Sequence, residues 1–216
     1  MRNQTWWRHT PAWINYLTRC QYMLQQGEYV ADVLWYLGDE LARAPYQTAP
    51  FPAGHRFDLL NAEVLHTRLS VADGRIQVKD GGEYRLILLR DSQRMLLSTA
   101  QRLKELVVAG AVILGDKPQD SPSLMDGPED IAVLRTIANE LWGEGPSGVK
   151  CVGKGKVYWG KSLDEVLHEE EIEPDVVAPA QAKIPWIHRR TADADIYFLS
   201  NQDENAVDAS IGFRIT

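Results

Sequence analysis

Apolar residues recur at helical spacing near the start of the chain. Trp13, Leu17, Cys20 and Leu24 draw one stripe along a helix that begins at Thr10, a good N-cap followed by Pro11, and stops at Gly27. The pattern then changes to a nearly continuous apolar and aromatic run from Tyr29 to Leu37, interrupted by Asp32, which predicts a strand covered on both faces. Residues 38–56, with Pro45, Pro50, Pro52 and Gly54, read as a long loop, and a helix is expected over Asp58 to Leu69. Asp73-Gly74 and Gly81-Gly82 bracket a small hairpin arm over Arg75 to Val78.

The clearest unit comes next. Tyr84 to Leu89 reads as a buried strand, Ser98 to Ala109 as a helix with a Ser98/Gln101 capping box, and Ala111 to Leu114 as a further strand, a βαβ unit that is parallel by its connection. A helix over Glu129 to Trp142, a Gly-rich turn over Gly143 to Gly155, a strand over Lys156 to Trp159 and a short helix capped by Ser162 and Glu165 complete an α/β series. After a proline- and alanine-rich boundary from Pro174 to Lys183 the grammar turns to strands: Trp186 to Arg190, Asp195 to Ser200, and a strictly alternating stretch from Val207 to Ile215. The expected division is therefore 1–27, one helix and its approach; 28–173, an α/β domain; and 174–216, a linker with the first strands of an antiparallel sheet.

Composition narrows the function classes. The 216 residues are 44% hydrophobic and 25% charged, as in an ordinary soluble globular protein. A net charge of −7 with scattered basic residues gives no footprint for a phosphate backbone, so nucleic acid is excluded as an expected partner. No apolar run approaches the roughly 18 residues that cross a bilayer, so no membrane is expected, and the first ten residues contain no signal-peptide core. Compartment stays open. Cys20 and Cys151 lie far apart without a CxxC pair, and both read as buried small hydrophobes; the dispersed histidines suggest no metal site.

Candidate chemistry is sparse. The acidic runs Glu169-Glu170-Glu171 and Asp203-Glu204 read as solvated surface, and no GxSxG elbow or P-loop is present. Asp91, at the end of a buried strand, is better placed, although a capping role is the ordinary one there. Two segments stand out. Asn3-Gln4-Thr5-Trp6-Trp7 sets adjacent tryptophans beside amides, as a sugar-binding loop needs, since rings cover C–H faces while amides bond hydroxyls; an apolar anchor is the plainer alternative. In Trp186-Ile187-His188-Arg189-Arg190, strand geometry puts His188 and Arg190 on one face and Arg189 on the other, an exposed surface or a contact with a ligand or neighbouring domain.

These segments also carry a family resemblance. Arg2-Asn3-Gln4-Thr5-Trp6-Trp7, the run Tyr16 to Gly27, Val30-Ala31-Asp32-Val33, Asn61 to Leu65, Ser121-Pro122-Ser123-Leu124, Trp159 to Leu163, Ile187 to Arg190 and Asp193 to Asn201 together resemble, in order, the C-terminal portion of glycoside hydrolase family 106, the inverting α-L-rhamnosidases. The resemblance implies a last barrel helix, then a flavodoxin- or class I glutamine amidotransferase-like parallel sheet with flanking helices, then a few antiparallel strands of an incomplete β-sandwich. It places the acid and base carboxylates, and an expected calcium, in a barrel outside these residues, so no catalytic residue, cofactor or metal is expected here. It implies sugar contact for Asn3, Trp6 and Trp7, and more weakly a substrate-side role for His188 and Arg189. The expected function is a non-catalytic fragment or degenerate relative of a rhamnosidase, with a free-standing oligomerisation or carbohydrate-binding module as the alternative. Self-association is expected through the Trp13, Leu17 and Leu24 stripe or the final strand near Thr216.

Overall fold

The computed structural model describes residues 3–40, 51–90, 92–179 and 183–215, and the chain divides into two compact units. The smaller comprises residues 1–30 and 178–210, and the larger residues 31–177 and 211–214. No helix among the described residues is long and apolar enough to cross a membrane.

In the smaller unit a 3-10 helix, Thr5–His9, runs directly into α1, Thr10–Leu24. Thr10 is therefore inside the helix rather than capping it, and its Oγ1 has no hydrogen-bond partner among the described residues. The stripe is only partly covered: Leu17, Cys20 and Leu24 are half-buried and Trp13 is exposed. Gly27 follows at φ 53, and a Cβ there would lie 1.9 Å from the carbonyl oxygen of Arg190. Only glycine lets the chain turn at that point against β12 (Trp186–Arg190). Strand β1 (Glu28–Tyr29) then pairs antiparallel with β12, which pairs antiparallel with β13 (Asp195–Leu199).

The larger unit is built on a mixed sheet. Strands β2 (Val33–Tyr36), β3 (Phe57–Leu60), β7 (Leu86–Leu89), β8 (Val112–Leu114), β9 (Gly148–Val152) and β10 (Gly155–Trp159) lie in the order β3-β2-β7-β8-β10-β9. All neighbours are parallel except the β9–β10 hairpin. Every residue of β2, β7 and β8 is buried, as strands covered on both faces require. Val33, Trp35, Leu86, Leu88, Val112 and Leu114 pack with Val166 and Leu167 of α5 (Leu163–Glu169). The alternating Leu34, Ile87, Ile113 and Val157, equally buried, occupy the opposite face. Helix α3 (Leu97–Ala109) packs against α4 (Pro128–Leu141) and β10, burying Leu103, Leu106, Leu134 and Leu141. Helix α2 (Ala62–Thr67) leads to an antiparallel meander of β4 (Leu69–Ala72), β5 (Arg75–Val78) and β6 (Glu83–Tyr84). The pair β11 (Val176–Val177) and β14 (Gly212–Phe213) completes the unit.

Several sequence expectations change here. The single strand over Tyr29 to Leu37 is two strands in two sheets, parted at Asp32. The run over Tyr84 to Leu89 divides likewise, because the amides of Arg85 and Leu86 both donate to the Asp32 carbonyl, at 2.8 and 3.2 Å. The helix expected from Asp58 is strand β3 up to Leu60, which is fully buried, and the helix starts only after Asn61, whose Oδ1 accepts the Val64 amide at 2.9 Å. The Gly143 to Gly155 turn contains β9, and Cys151 on that strand is exposed while Cys20 is half-buried, so neither cysteine is a core residue. The alternation over Val207 to Ile215 yields only the two residues of β14, because the rest has no strand to pair with among the described residues. The Ser162/Glu165 capping box forms as expected.

The N-terminus of α3 shows how a distant residue overrides a local signal. No Ser98 cap bond forms; instead Asp39, just past β2, accepts the Leu96 amide at 2.9 Å and the Thr99 hydroxyl at 2.8 Å. The Tyr36 hydroxyl donates to the same carboxylate at 2.5 Å, and burial together with this anionic neighbour pushes the phenol well above its usual range. Asp39→Ala is expected to cost about 1–2 kcal/mol in urea unfolding, as loss of an N-cap does. Ser98→Ala, at an exposed position, should stay within about 0.5 kcal/mol of the parent.

Candidate functional site

The residues with candidate roles in sugar contact all belong to the smaller unit. Asn3 is exposed just before the 3-10 helix, and the Trp7 amide donates to Gln4 O at 3.1 Å. This turn holds Trp6 and Trp7 with 45% and 41% of their surface open. Helix α1 adds the exposed rings of Trp13 and Tyr16, three residues apart and so adjacent on one side of the helix, and Tyr22 further along. An array of solvent-facing aromatic rings can cover the apolar face of a sugar. A hydrogen bond with Cys20 raises the Tyr16 phenol above its ordinary value.

His188 and Arg189 are placed differently. His188 is fully buried, its ring stacked on Tyr197 at 4.0 Å and its Nε2 2.8 Å from Asp195 Oδ1. Arg190, on the same face as expected, donates from Nε to that oxygen at 2.7 Å. Burial acts to raise the Asp195 carboxyl, but the hydrogen bonds from Arg190 and His188 outweigh it and hold the group below its ordinary value. Arg189 points the other way and donates to Gln26 O at 2.8 Å and Gly27 O at 2.5 Å, fixing the turn after α1. Asn3, Trp6 and Trp7 thus face solvent, whereas His188 and Arg189 hold the small sheet and its turn together.

The larger unit contains polar residues that the sequence reading passed over. Asp32 and His55 are both buried; His55 Nδ1 lies 3.0 Å from Asp32 Oδ2, and Arg214 donates to Asp32 Oδ1 at 2.8 Å. Burial works to raise this carboxyl, yet the bonds from His55 and Arg214 together leave it lowered. Glu170, read as solvated surface, accepts from the Tyr158 hydroxyl at 2.5 Å and from Lys156 Nζ at 2.8 Å, so that reading is corrected for this member of the acidic run. Desolvation and this carboxylate push the Tyr158 phenol strongly upward. Asp32 was visible as the charge inside an apolar run; His55 carried no such mark. Asp91 lies outside the described residues. Among those residues no group of three or more His, Cys, Asp or Glu side chains is placed to hold a metal ion.

Comparison with known proteins agrees with this architecture. A family model described as alpha-L-rhamnosidase, glycoside hydrolase family 106, matches residues 1–216. A protein of Formosa agariphila named "Putative beta-glucuronidase" is 33% identical over all of this chain, which covers 18% of that protein. The structure of a rhamnosidase from Novosphingobium sp. PP1Y superposes with a TM-score of 0.88 at 30% identity, over 100% of this chain and 21% of the other. The chain therefore spans about a fifth of the length of each.

The state of Asp32 gives a pH dependence with a defined sign. Its folded carboxyl is depressed relative to an unfolded value of about 3.9, so it stabilises the fold above that pH and the contribution is lost as pH falls through the folded value. Urea midpoints measured between about pH 2 and 6 should fall on the acid side in the parent, and fall less in Asp32→Asn.

Proposed function

The chain belongs to the alpha-L-rhamnosidase family, glycoside hydrolase family 106, and on that premise we propose that residues 1–216 are a non-catalytic portion of a larger hydrolase, supporting its carbohydrate processing. The observation that carries this reading is the condition of the buried and hydrogen-bonded carboxylates among the described residues. Glycoside hydrolysis needs a carboxylic acid with a raised pKa facing the leaving oxygen and a second carboxylate facing water or the sugar. Asp32 and Asp195 are instead held ionised by Arg214 and Arg190. Asp39 is committed to the α3 terminus, and Glu170 to Tyr158 and Lys156.

The finer fold reading follows the same line. Taken in chain order, β2, β3, β7, β8 and β10 stand second, first, third, fourth, fifth across the sheet, which supports a flavodoxin-like domain. Residues 1–27 are then the end of a preceding barrel, 31–173 the body of the flavodoxin-like domain, and 178–210 the start of a β-sandwich. In this assignment Asn3, Trp6 and Trp7 contribute sugar contact, while His188 and Arg189 brace the β1-β12-β13 sheet and the turn after α1.

The exposure of Trp13, Tyr16 and Tyr22 favours a second reading, a free-standing module that binds carbohydrate or self-associates through α1. The 216-residue chain is expected to release no aglycone from an aryl α-L-rhamnoside. A rate that survives repurification and disappears on substitution of Asp32 or Asp195 would sink the non-catalytic reading. In a titration with rhamnose-containing oligosaccharides, Trp6→Ala and Trp7→Ala should each weaken any binding about tenfold, a loss of roughly 1.4 kcal/mol. Light scattering of Trp13→Lys beside the parent separates the module: a concentration-dependent dimer that the substitution abolishes supports it, and a monomer in both argues against it.

A further inference from the structure

Residues 1–27 contain Arg2, Arg8 and Arg19 and no aspartate or glutamate, in a chain whose 30 acidic residues outnumber its 23 lysines and arginines. The first acid is Glu28, where β1 begins. The stretch that presents the exposed rings of Trp6, Trp7, Trp13, Tyr16 and Tyr22 is therefore a cationic part of an anionic protein.

Helical spacing brings charge and rings together. Arg19 lies three residues after Tyr16 and three before Tyr22, which makes it the neighbour of both on the surface of α1. Asn15, four residues before Arg19, adds an amide on the same side. All four residues are exposed, and they stand off the half-buried line of Leu17, Cys20 and Leu24. The positions three and four residues from Arg19 hold Asn15, Tyr16, Tyr22 and Met23, so no carboxylate of α1 neutralises it. A hydrogen bond between the Tyr16 phenol and Cys20, one turn on, steadies the first ring.

This arrangement asks for more than a neutral sugar offers. Rings cover C–H faces and an amide bonds hydroxyls, but the planar fork of a guanidinium matches a carboxylate or a sulfate, and charge-assisted bonds to such groups are roughly twice as strong as neutral ones. Resting on the reading that the smaller unit contacts carbohydrate, we propose that α1 selects an anionic saccharide: Tyr16 and Tyr22 cover sugar faces, Arg19 between them takes a carboxylate or sulfate, and Asn15 takes a hydroxyl.

Titration calorimetry on the 216-residue chain tests this with tetragalacturonate, a sulfated carrageenan tetrasaccharide and neutral galactotetraose. At least one acidic probe should bind about fivefold or more tighter than the neutral one, and the difference should shrink as salt is raised. Which acidic probe is preferred identifies the anion. Arg19→Gln should remove the preference while leaving neutral binding unchanged, and Arg19→Glu should reverse it. Neutral and acidic probes that bind alike would overturn the proposal and leave the sugar-contact reading standing; a parent that binds none of the three defeats both. A preference that persists in Arg19→Gln also refutes the assignment. Two other occupants are tested beside it. Self-association of the parent that Arg19→Glu abolishes would give the surface to a second copy, and a ten-nucleotide single strand that binds as tightly as the acidic probes would make it a general polyanion site; either result overturns the proposal. Should the variants fail to fold, the parent's ranking of the three probes and its salt dependence decide.

Discussion

A carboxylate taken out of water at the start of a buried strand is costly unless its charge and lone pairs are met, and Asp32 is in that position. The structure meets it from three directions. His55 and Arg214 supply donors to the side chain, the Asp32 carbonyl receives the amides that open β7, and its own amide donates to Arg56 O at 3.2 Å. The start of β2, the approach to β3, the start of β7 and the residue that follows β14 are thus all referred to one residue. Removing Arg214 would leave this buried carboxylate with the His55 ring as its remaining side-chain partner, a loss of up to about 3–5 kcal/mol. Substituting the whole cluster by apolar groups would be far milder, which is why the cluster specifies an arrangement more than it adds stability.

The same economy recurs elsewhere. Asp39 joins the end of β2 to the start of α3, Glu170 joins the end of α5 to β10, and Asp195 joins β13 to β12. Each carboxylate bridges segments that apolar packing alone would leave free to shift. An acidic chain of net charge −7 therefore spends its best-placed acids on internal fastening. A group held ionised by a cation is poorly suited to donate a proton, so this use is at odds with service as a general acid.

Much of the fold was legible where local and long-range signals agree. The β7-α3-β8 unit, helix α4, the Ser162 cap and the pair β12–β13 follow from periodicity and capping chemistry. Legibility failed where a distant partner decides. An apolar run from Tyr29 to Leu37 cannot reveal that its two halves join different sheets, since both halves want the same side chains. Asp58 to Leu69 carries apolar residues compatible with either period, and the neighbouring β2 settles the first part as strand. At α3 the sequence offers Ser98, but Asp39 arrives from across the sheet with a full charge. For the candidate site, the adjacent tryptophans could be picked out by their flanking amides, but their exposure could not, since an apolar anchor reads the same. The burial of His188 could not, because its partners Asp195 and Tyr197 lie on the next strand.

Asp39 also bears on where ligands could act. In open α/β sheets the crevice beyond the carboxyl ends of the strands, beside helix N-termini, is the usual ligand position, because free amides and the helix dipole favour an anion there. At the α3 terminus that demand is already met from within: the Asp39 carboxylate takes the Leu96 amide and the Thr99 hydroxyl. An incoming anion would have to displace a carboxylate that Tyr36 also holds. At the α3 terminus the sheet has thus turned a binding geometry into a fastening one. The rings of Trp6, Trp7, Trp13, Tyr16 and Tyr22 in the smaller unit are, by contrast, open to solvent.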